Sequence, residues 1–560
     1  MNSRIVLPFV FFTFILFGLT VHTASACTSM LVTKGASADG AVMITYTADA
    51  AGFYSRLIVM PAEEHPEGTV IEVPATDDRP AGAIKQVPKT YHVIGVTWDP
   101  EPAFRRGAWL KQGLINEHQL AITESTFGGR PELINPQGLT GYSMLITLAL
   151  QRSKTAREAI AVMTSLADEY GFHDTGESFS IADTEEAWVL ELIGTGNRPI
   201  DPNGGNVVWV ARKVPDGEIS AHANAARIGE LPDTPDQDSF FWSDNIRSFA
   251  IEQGFYDPAS GEPFRFNYAY DLISPRKKRL CEARVWSMLR RAAPSLELSA
   301  DYHRGNPNAK PYPWSVKPDQ KLTLSDVMAL KRDHYEGTDF DMTKGLDAGP
   351  WGMPKRWRPF DWRLEGDENE YFWERPISIQ QTGYSVVSQS RSNLPDFIGG
   401  VLWYGVDDTY TTCYFPLYCQ ITDVPKPFAR GSIHEFSWDS AWWVFNLVAN
   451  YAKLKFNRIA PEILKVQQEL ESEFISRQPG IEQQVVSSPN ARQQLTEISI
   501  SKGEQVFTRW QQLATRIFTK FNDGFIQEDN VTYDRAGDPY PDSWLRSVVN
   551  ERPEQFKLPD

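Results

Sequence analysis

The chain has 560 residues, a formal charge of −17 at neutral pH, 41% apolar residues and 12% aromatic residues. That is enough apolar chain for several ordinary domains or one large decorated one, and the acidic balance argues against nucleic acid or an anionic membrane as a partner. Beyond residue 26 no apolar run approaches the roughly 20 residues of a membrane span.

Residues 1–26 read as a secretory leader. Arg4 is followed by an apolar run from Ile5 to Leu19, and the small residues Ala24-Ser25-Ala26 close it as a cleavage site does. Cutting after Ala26 makes Cys27 the first residue of a secreted or periplasmic chain. An N-terminal Cys carries a thiol and an α-amine on one residue. Such an amine has a pKa of about 7.7–8.0 and can act as general base for its own side chain. Two other readings stay open. Cys27 is an ordinary buried residue, or it is the lipid-carrying Cys of a lipoprotein, although Ala24 stands where that motif takes a Leu-like residue. A lipid would block the thiol, so anchor and nucleophile exclude each other.

The chain after Cys27 opens as a hairpin: a strand over Cys27–Thr33, a turn over Lys34–Gly40 and a return strand over Ala41–Thr47. Strand-like segments follow at Ser55–Met60, His92–Trp98 and Gln119–Thr123. Two helices come next, Tyr142–Arg152 and one that opens on the capping box Thr155-Ala-Arg-Glu158 and ends before Gly171. Strands return at Ser178–Ala182, Ala187–Leu192 and Val207–Ala211. The middle is rich in Pro and turn residues, interrupted by a basic helix over Cys281–Ala293. Strands resume at Ser378–Ser388 and Gly399–Tyr404, and the end is helical over Trp438–Phe456, Pro461–Ser476 and Gln493–Phe521. Strands, then two helices, then more strands predict a layered mixed protein.

Four cysteines, Cys27, Cys281, Cys413 and Cys419, do not make a disulfide framework. On one extended strand Cys413 and Cys419 lie about 20 Å apart, so a bridge between them requires a turn around Phe415-Pro416. There is no phosphate loop, no H-E-x-x-H, no G-x-S-x-G and no dinucleotide fingerprint. No metal or organic cofactor is expected. A Cys–His pair through His118, His222 or His434 stays open, with nothing in the sequence to select among them.

Cys27-Thr28-Ser29 followed by Thr33-Lys34-Gly35-Ala36-Ser37-Ala38-Asp39-Gly40 resembles the mature start of the family C69 dipeptidases, N-terminal nucleophile (Ntn) hydrolases related to choloylglycine hydrolases and penicillin V acylases. The resemblance continues through Asn116-Glu117-His118, the Ile181–Trp188 segment, Ala223–Ile228, Asp341–Gly345, Gln389-Ser-Arg391, Leu394-Pro-Asp396 and Trp403–Asp408. It implies an α+β chain: an Ntn-hydrolase four-layer αββα sandwich over 27–455, after the leader 1–26, with a helical extension, 456–560, packed on the core. It gives Cys27 the role of nucleophile. Asp49 matches an acid that helps hold the N-terminal amine or a polar substrate group; a turn cap is the plainer reading. Asn116 and Asn224 match amide side chains near the reacting carbonyl, against loop capping. Arg284 matches a cation near the thiol that would stabilise thiolate, against a solvated helix face, with Arg227 the weaker rival. Tyr46-Thr47 stands where many relatives carry Arg-Asn, a departure that bears on specificity more than on acyl transfer.

The function this implies is a secreted cysteine dipeptidase with small peptides as partners, no nucleic acid, no membrane span and an oligomeric state left open. The alternatives are an amidase or acylase acting on N-acyl amino acids or bile-acid-type conjugates, and a non-catalytic secreted binding protein on the same fold.

Overall fold

A computed structural model describes residues 27–50, 52–75, 79–98, 110–356, 360–527 and 540–559; the leader, with Ala24-Ser25-Ala26, lies outside the described residues. The predicted hairpin is present as β1 (Ser29–Val32) and β2 (Val42–Asp49), with Leu31 opposite Ile44. All eight residues of β2 are buried. Its alternate positions therefore face protein on both sides, which is why the sequence runs Val-Met-Ile-Thr-Tyr-Thr-Ala-Asp without a solvated stripe.

These strands lie at the centre of a seven-stranded sheet whose order is Ser315–Val316, Ile219–His222, β1, β2, Thr382–Ser390, Val401–Val406 and Phe415–Tyr418. A second sheet of eight strands runs Phe240–Trp242, Val207–Lys213, Ala187–Gly194, Gly176–Ala182, β3 (Ala121–Gly128), Lys111–Asn116, Val93–Thr97 and Arg56–Met60. The two stack through β1 and β2 on one side and β3 and its neighbours on the other.

The strand Ala187–Gly194 shows how the sequence builds two cores. Ala187, Val189 and Ile193 join the core between the sheets, whereas Trp188, Leu190 and Leu192 join a second core under two helices. A near-continuous apolar run with period-two side chains can serve both. The helices over that second core are α1 (Tyr142–Arg152) and α2 (Ala156–Tyr170). Thr155 caps α2 by accepting from the Glu158 amide, as predicted, but the Glu158 carboxylate reaches the Lys154 amide. Gly171, at φ 73°, ends α2 in a conformation that favours glycine.

The basic helix begins earlier than the sequence suggests, with a helical turn at Pro275–Lys277. α3 spans Ala283–Ala292 and is preceded by a π turn at Lys278–Glu282. After α4 (Leu324–Leu330) come α5 (Ala441–Ala452), α6 (Phe456–Val485) and α7 (Ala491–Lys520), and two short helices, Asp542–Glu551 and Pro553–Phe556, follow them. α6 starts five residues before Pro461, the position where a Pro-first helix was expected, and it contains both Pro461 and Pro479. Leu470 and Phe474 of α6 and Leu495, Val506 and Trp510 of α7 belong to the same core as β1 and β2. Cys413 and Cys419 flank the strand Phe415–Tyr418 and are both free thiols, so the turn a bridge would need is absent there.

Candidate active site

Cys27 directly precedes β1 and is fully buried. Its sulfur lies 3.3 Å from the Tyr46 hydroxyl and 3.3 Å from Glu124 Oε1. Tyr46 comes from β2 and Glu124 from β3, so the thiol sits where the two sheets meet. The Tyr46 hydroxyl donates to the same Glu124 oxygen. Burial, followed by the negative fields of Glu124 and Asp49, pushes the thiol well above its ordinary range, while Tyr46 and the Asp49 backbone N–H oppose this by bonding the sulfur. The balance favours the neutral thiol over the thiolate.

Glu124 is backed by Glu177 of the next strand. Burial and the neighbouring Glu124 push the Glu177 carboxyl well up. Two carboxyls in one dry site cannot both be ionised cheaply, so this pair retains a proton. Thr126 donates to Glu177 at 2.7 Å. No motif in the sequence marks Glu124; its one signal is Thr123-Glu124-Ser125-Thr126, a polar run inside a strand that is otherwise core.

Arg284 is 1% exposed, not on a solvated face. Its guanidinium donates to the Cys27 carbonyl at 2.8 Å, Thr28 Oγ1 at 2.8 Å, the Ala223 carbonyl at 3.2 Å and Asn224 Oδ1 at 2.9 Å, and its Nε to the Leu280 carbonyl at 2.7 Å. It thus clamps the backbone of Cys27 through the residue 27 carbonyl and the Thr28 hydroxyl. Burial lowers the guanidinium to about 10, with the Arg375 charge adding to the effect. Arg284→Met leaves several buried acceptors without a donor. The expected cost is about 3 kcal/mol or more, read as a lower urea midpoint at unchanged slope.

Asn224 does sit beside Cys27. Its backbone is left-handed at φ 58°. Its N–H donates to Ser125 Oγ at 2.7 Å, and Ser125 Oγ donates to the Cys27 carbonyl at 3.4 Å. The side-chain amide donates to the Thr126 carbonyl at 2.8 Å. Asp49 accepts from Arg375 at 2.7 Å, Thr382 at 2.6 Å and Thr47 at 3.0 Å. It is therefore a buried, fully bonded carboxylate, not a turn cap, and the replacement Thr47 bonds both it and the Thr28 amide.

Asn116 is elsewhere. Both protons of its amide go to the Leu150 and Ser153 carbonyls at the end of α1, each at 2.8 Å, and its oxygen accepts from the His118 and Leu120 amides. The expected oxyanion donor is therefore a loop and helix cap, because its N–H groups are already used. Arg227 pairs with Glu282 at 2.9 Å, with its side chain 4% exposed. His222 is held 2.7 Å from Ser180 and is driven by burial to about 3, His118 faces Asp396, and His434 lies in an exposed turn.

Lys331, just after α4, was also missed. It is fully buried, and among the described residues its Nζ has no hydrogen-bond partner. Burial pulls the ammonium down to about 7, against the fields of Asp49 and Cys27. A folded pKa below the unfolded value near 10.5 costs stability as pH falls between those values, and the full cost applies below about 7. Lys331→Met should therefore stabilise the fold by a few kcal/mol, more at about pH 6 than at about pH 9, and urea unfolding at both pH values measures it. A residue that costs this much where it stands is a functional candidate.

The thiol, the proton-sharing acids, the guanidinium on the Cys27 carbonyl and the unpaired lysine together form a site suited to acyl transfer. Among the described residues no cluster of His, Cys, Asp and Glu is placed to hold a metal. The chain belongs to peptidase family C69, whose model matches residues 26–469. It is 26% identical over 435 residues to a probable dipeptidase of Latilactobacillus sakei, covering 76% of this chain and 80% of that protein. It is 25% identical over 457 residues to a dipeptidase of Bifidobacterium longum, covering 76% of each chain. It is 23% identical over 440 residues to dipeptidase A of Lactobacillus helveticus, covering 76% of this chain and 81% of that one.

Proposed function

We propose that this chain is a secreted dipeptidase that uses Cys27 as an N-terminal nucleophile on an Ntn-hydrolase αββα sandwich. The observation that carries the reading is the position of Cys27: directly before the central β1, its sulfur between Tyr46 and Glu124 and its carbonyl bonded to Arg284. Two stacked sheets with helices packed on them, and relatives named dipeptidases, support it. No helix of the described residues is long and apolar enough to cross a membrane.

In this reading removal of the leader frees the Cys27 amine, which takes the thiol proton directly or through a water. The thiolate attacks the peptide carbonyl. Tyr46 donates to the developing oxyanion by exchanging its bond to Glu124, while Arg284 and Asn224 hold the backbone of the nucleophile in place. The amine returns its proton to the leaving amine, and water resolves the thioester.

The test is a panel of dipeptides, their N-acetylated forms and N-acyl amino acids, given to protein that starts at Cys27. Hydrolysis of the free dipeptides is expected, with the N-acetylated forms at least tenfold slower, because a dipeptidase recognises the free amine. Preference for the acylated compounds would make it an acylase, and no hydrolysis of any would make it a binding protein.

A further inference from the structure

A cavity of about 330 Å³ opens beside the 224–230 loop, and Cys27, Tyr46 and Glu124 are not among the residues that line it. Three guanidinium groups reach it: Arg212 from the strand Val207–Lys213, Arg227 and Arg265. Arg265 is weakly paired with Glu230 at 3.6 Å, and Arg227 is paired with Glu282. Arg212 has no acid partner among the described residues; it is held between the rings of Phe240 and Trp314, at 5.1 and 4.8 Å.

Two buried polar atoms there have no partner among the described residues. One is a donor, Arg227 Nε; the other an acceptor, Asn267 Oδ1. Such atoms in a folded interior ask for a ligand or water. The Arg227 side chain is 4% exposed and its backbone is fixed, since Glu191 accepts from the Arg227 amide at 2.5 Å and the Ile228 amide at 3.1 Å. Tyr268, Tyr302, Tyr312 and Ile273 complete the wall with apolar surface. The volume falls at the lower end of the range for small-molecule sites.

We propose that this cavity is a second, non-catalytic site that binds an α-amino acid or dipeptide as its zwitterion. The carboxylate takes the unpaired Arg212 guanidinium and Arg227 Nε. The ammonium donates to Asn267 Oδ1 beside Glu230, and the side chain lies on the tyrosines. The inference goes beyond the proposed activity and does not depend on turnover. The site is tied mechanically to the thiol, because Asn224, at the start of the loop, is bonded by Arg284, two residues from Glu282 on the same helical segment.

The test uses full-length mature protein carrying Cys27→Ala, so that nothing is hydrolysed. Titration calorimetry is run with leucine, leucyl-leucine, leucinamide and propionate. Leucine or leucyl-leucine should bind, and the tighter of the two identifies the occupant as product-like or substrate-like. Leucinamide, which lacks the carboxylate, should bind at least tenfold more weakly. Adding Arg212→Met should weaken zwitterion binding at least tenfold. Adding Asn267→Leu should weaken the zwitterion while leaving propionate unchanged, which separates loss of an acceptor from loss of the fold. Absence of binding by both zwitterions at millimolar concentration, or binding indifferent to both substitutions, would overturn the proposal.

Discussion

Cys27→Ala is expected to reduce peptide hydrolysis by about 10⁴-fold or more, to background. The change removes one sulfur from a buried position directly before β1 and leaves the Arg284 bond to the residue 27 carbonyl intact. The expected stability cost is about 1 kcal/mol, so far-UV dichroism and the melting profile should stay near those of the parent. Cys27→Ser keeps the same neighbours with a poorer nucleophile and should retain a trace of activity. Activity in the Ala variant within tenfold of the parent would remove Cys27 from the mechanism.

A single uncleavable residue placed before Cys27 is expected to lower kcat/KM by about 10²–10⁴-fold, the worth of a general base. The nitrogen of residue 27 is then an amide with no useful basicity. The structure sharpens the expectation, because burial and two nearby carboxylates hold the thiol protonated. The described histidines offer little relief: His222 is depressed to about 3 and bonded to Ser180. Expression of residues 27–560 with a clean and with an extended start, each confirmed by intact mass, provides the comparison. Equal hydrolysis by the two would transfer the role of base to a side chain, and Glu124, 3.3 Å from the sulfur, would be the first to examine.

The elements legible in the sequence were those set by local signals. The β1–β2 hairpin lies where the sequence places a strand, the turn Lys34–Gly40 and a return strand, and α1 runs over the expected Tyr142–Arg152. α2 follows from Thr155 at one end and Gly171 at the other. Boundaries slipped where packing overrides local preference. Pro461 looked like a first turn but lies inside α6, whose buried face begins at Phe456.

Of the residues named from the sequence, the structure brings Asp49, Asn224 and Arg284 near Cys27, and they are named through the resemblance more than through chemistry readable from one strand. Glu124 and Lys331 meet neighbours about 100 and 300 residues away along the chain, which no local pattern records. Asn116 shows the converse error: a plausible residue type in a family-like motif, spent entirely on capping α1.

The measurement closest to the central claim is mass spectrometry of the N-terminal peptide of active enzyme during inactivation by iodoacetamide. The account predicts a peptide that begins at Cys27, with a free α-amine, and gains one carbamidomethyl group on sulfur in proportion to the activity lost. An active enzyme whose chain begins before Cys27, or one inactivated while Cys27 stays unmodified, would contradict it.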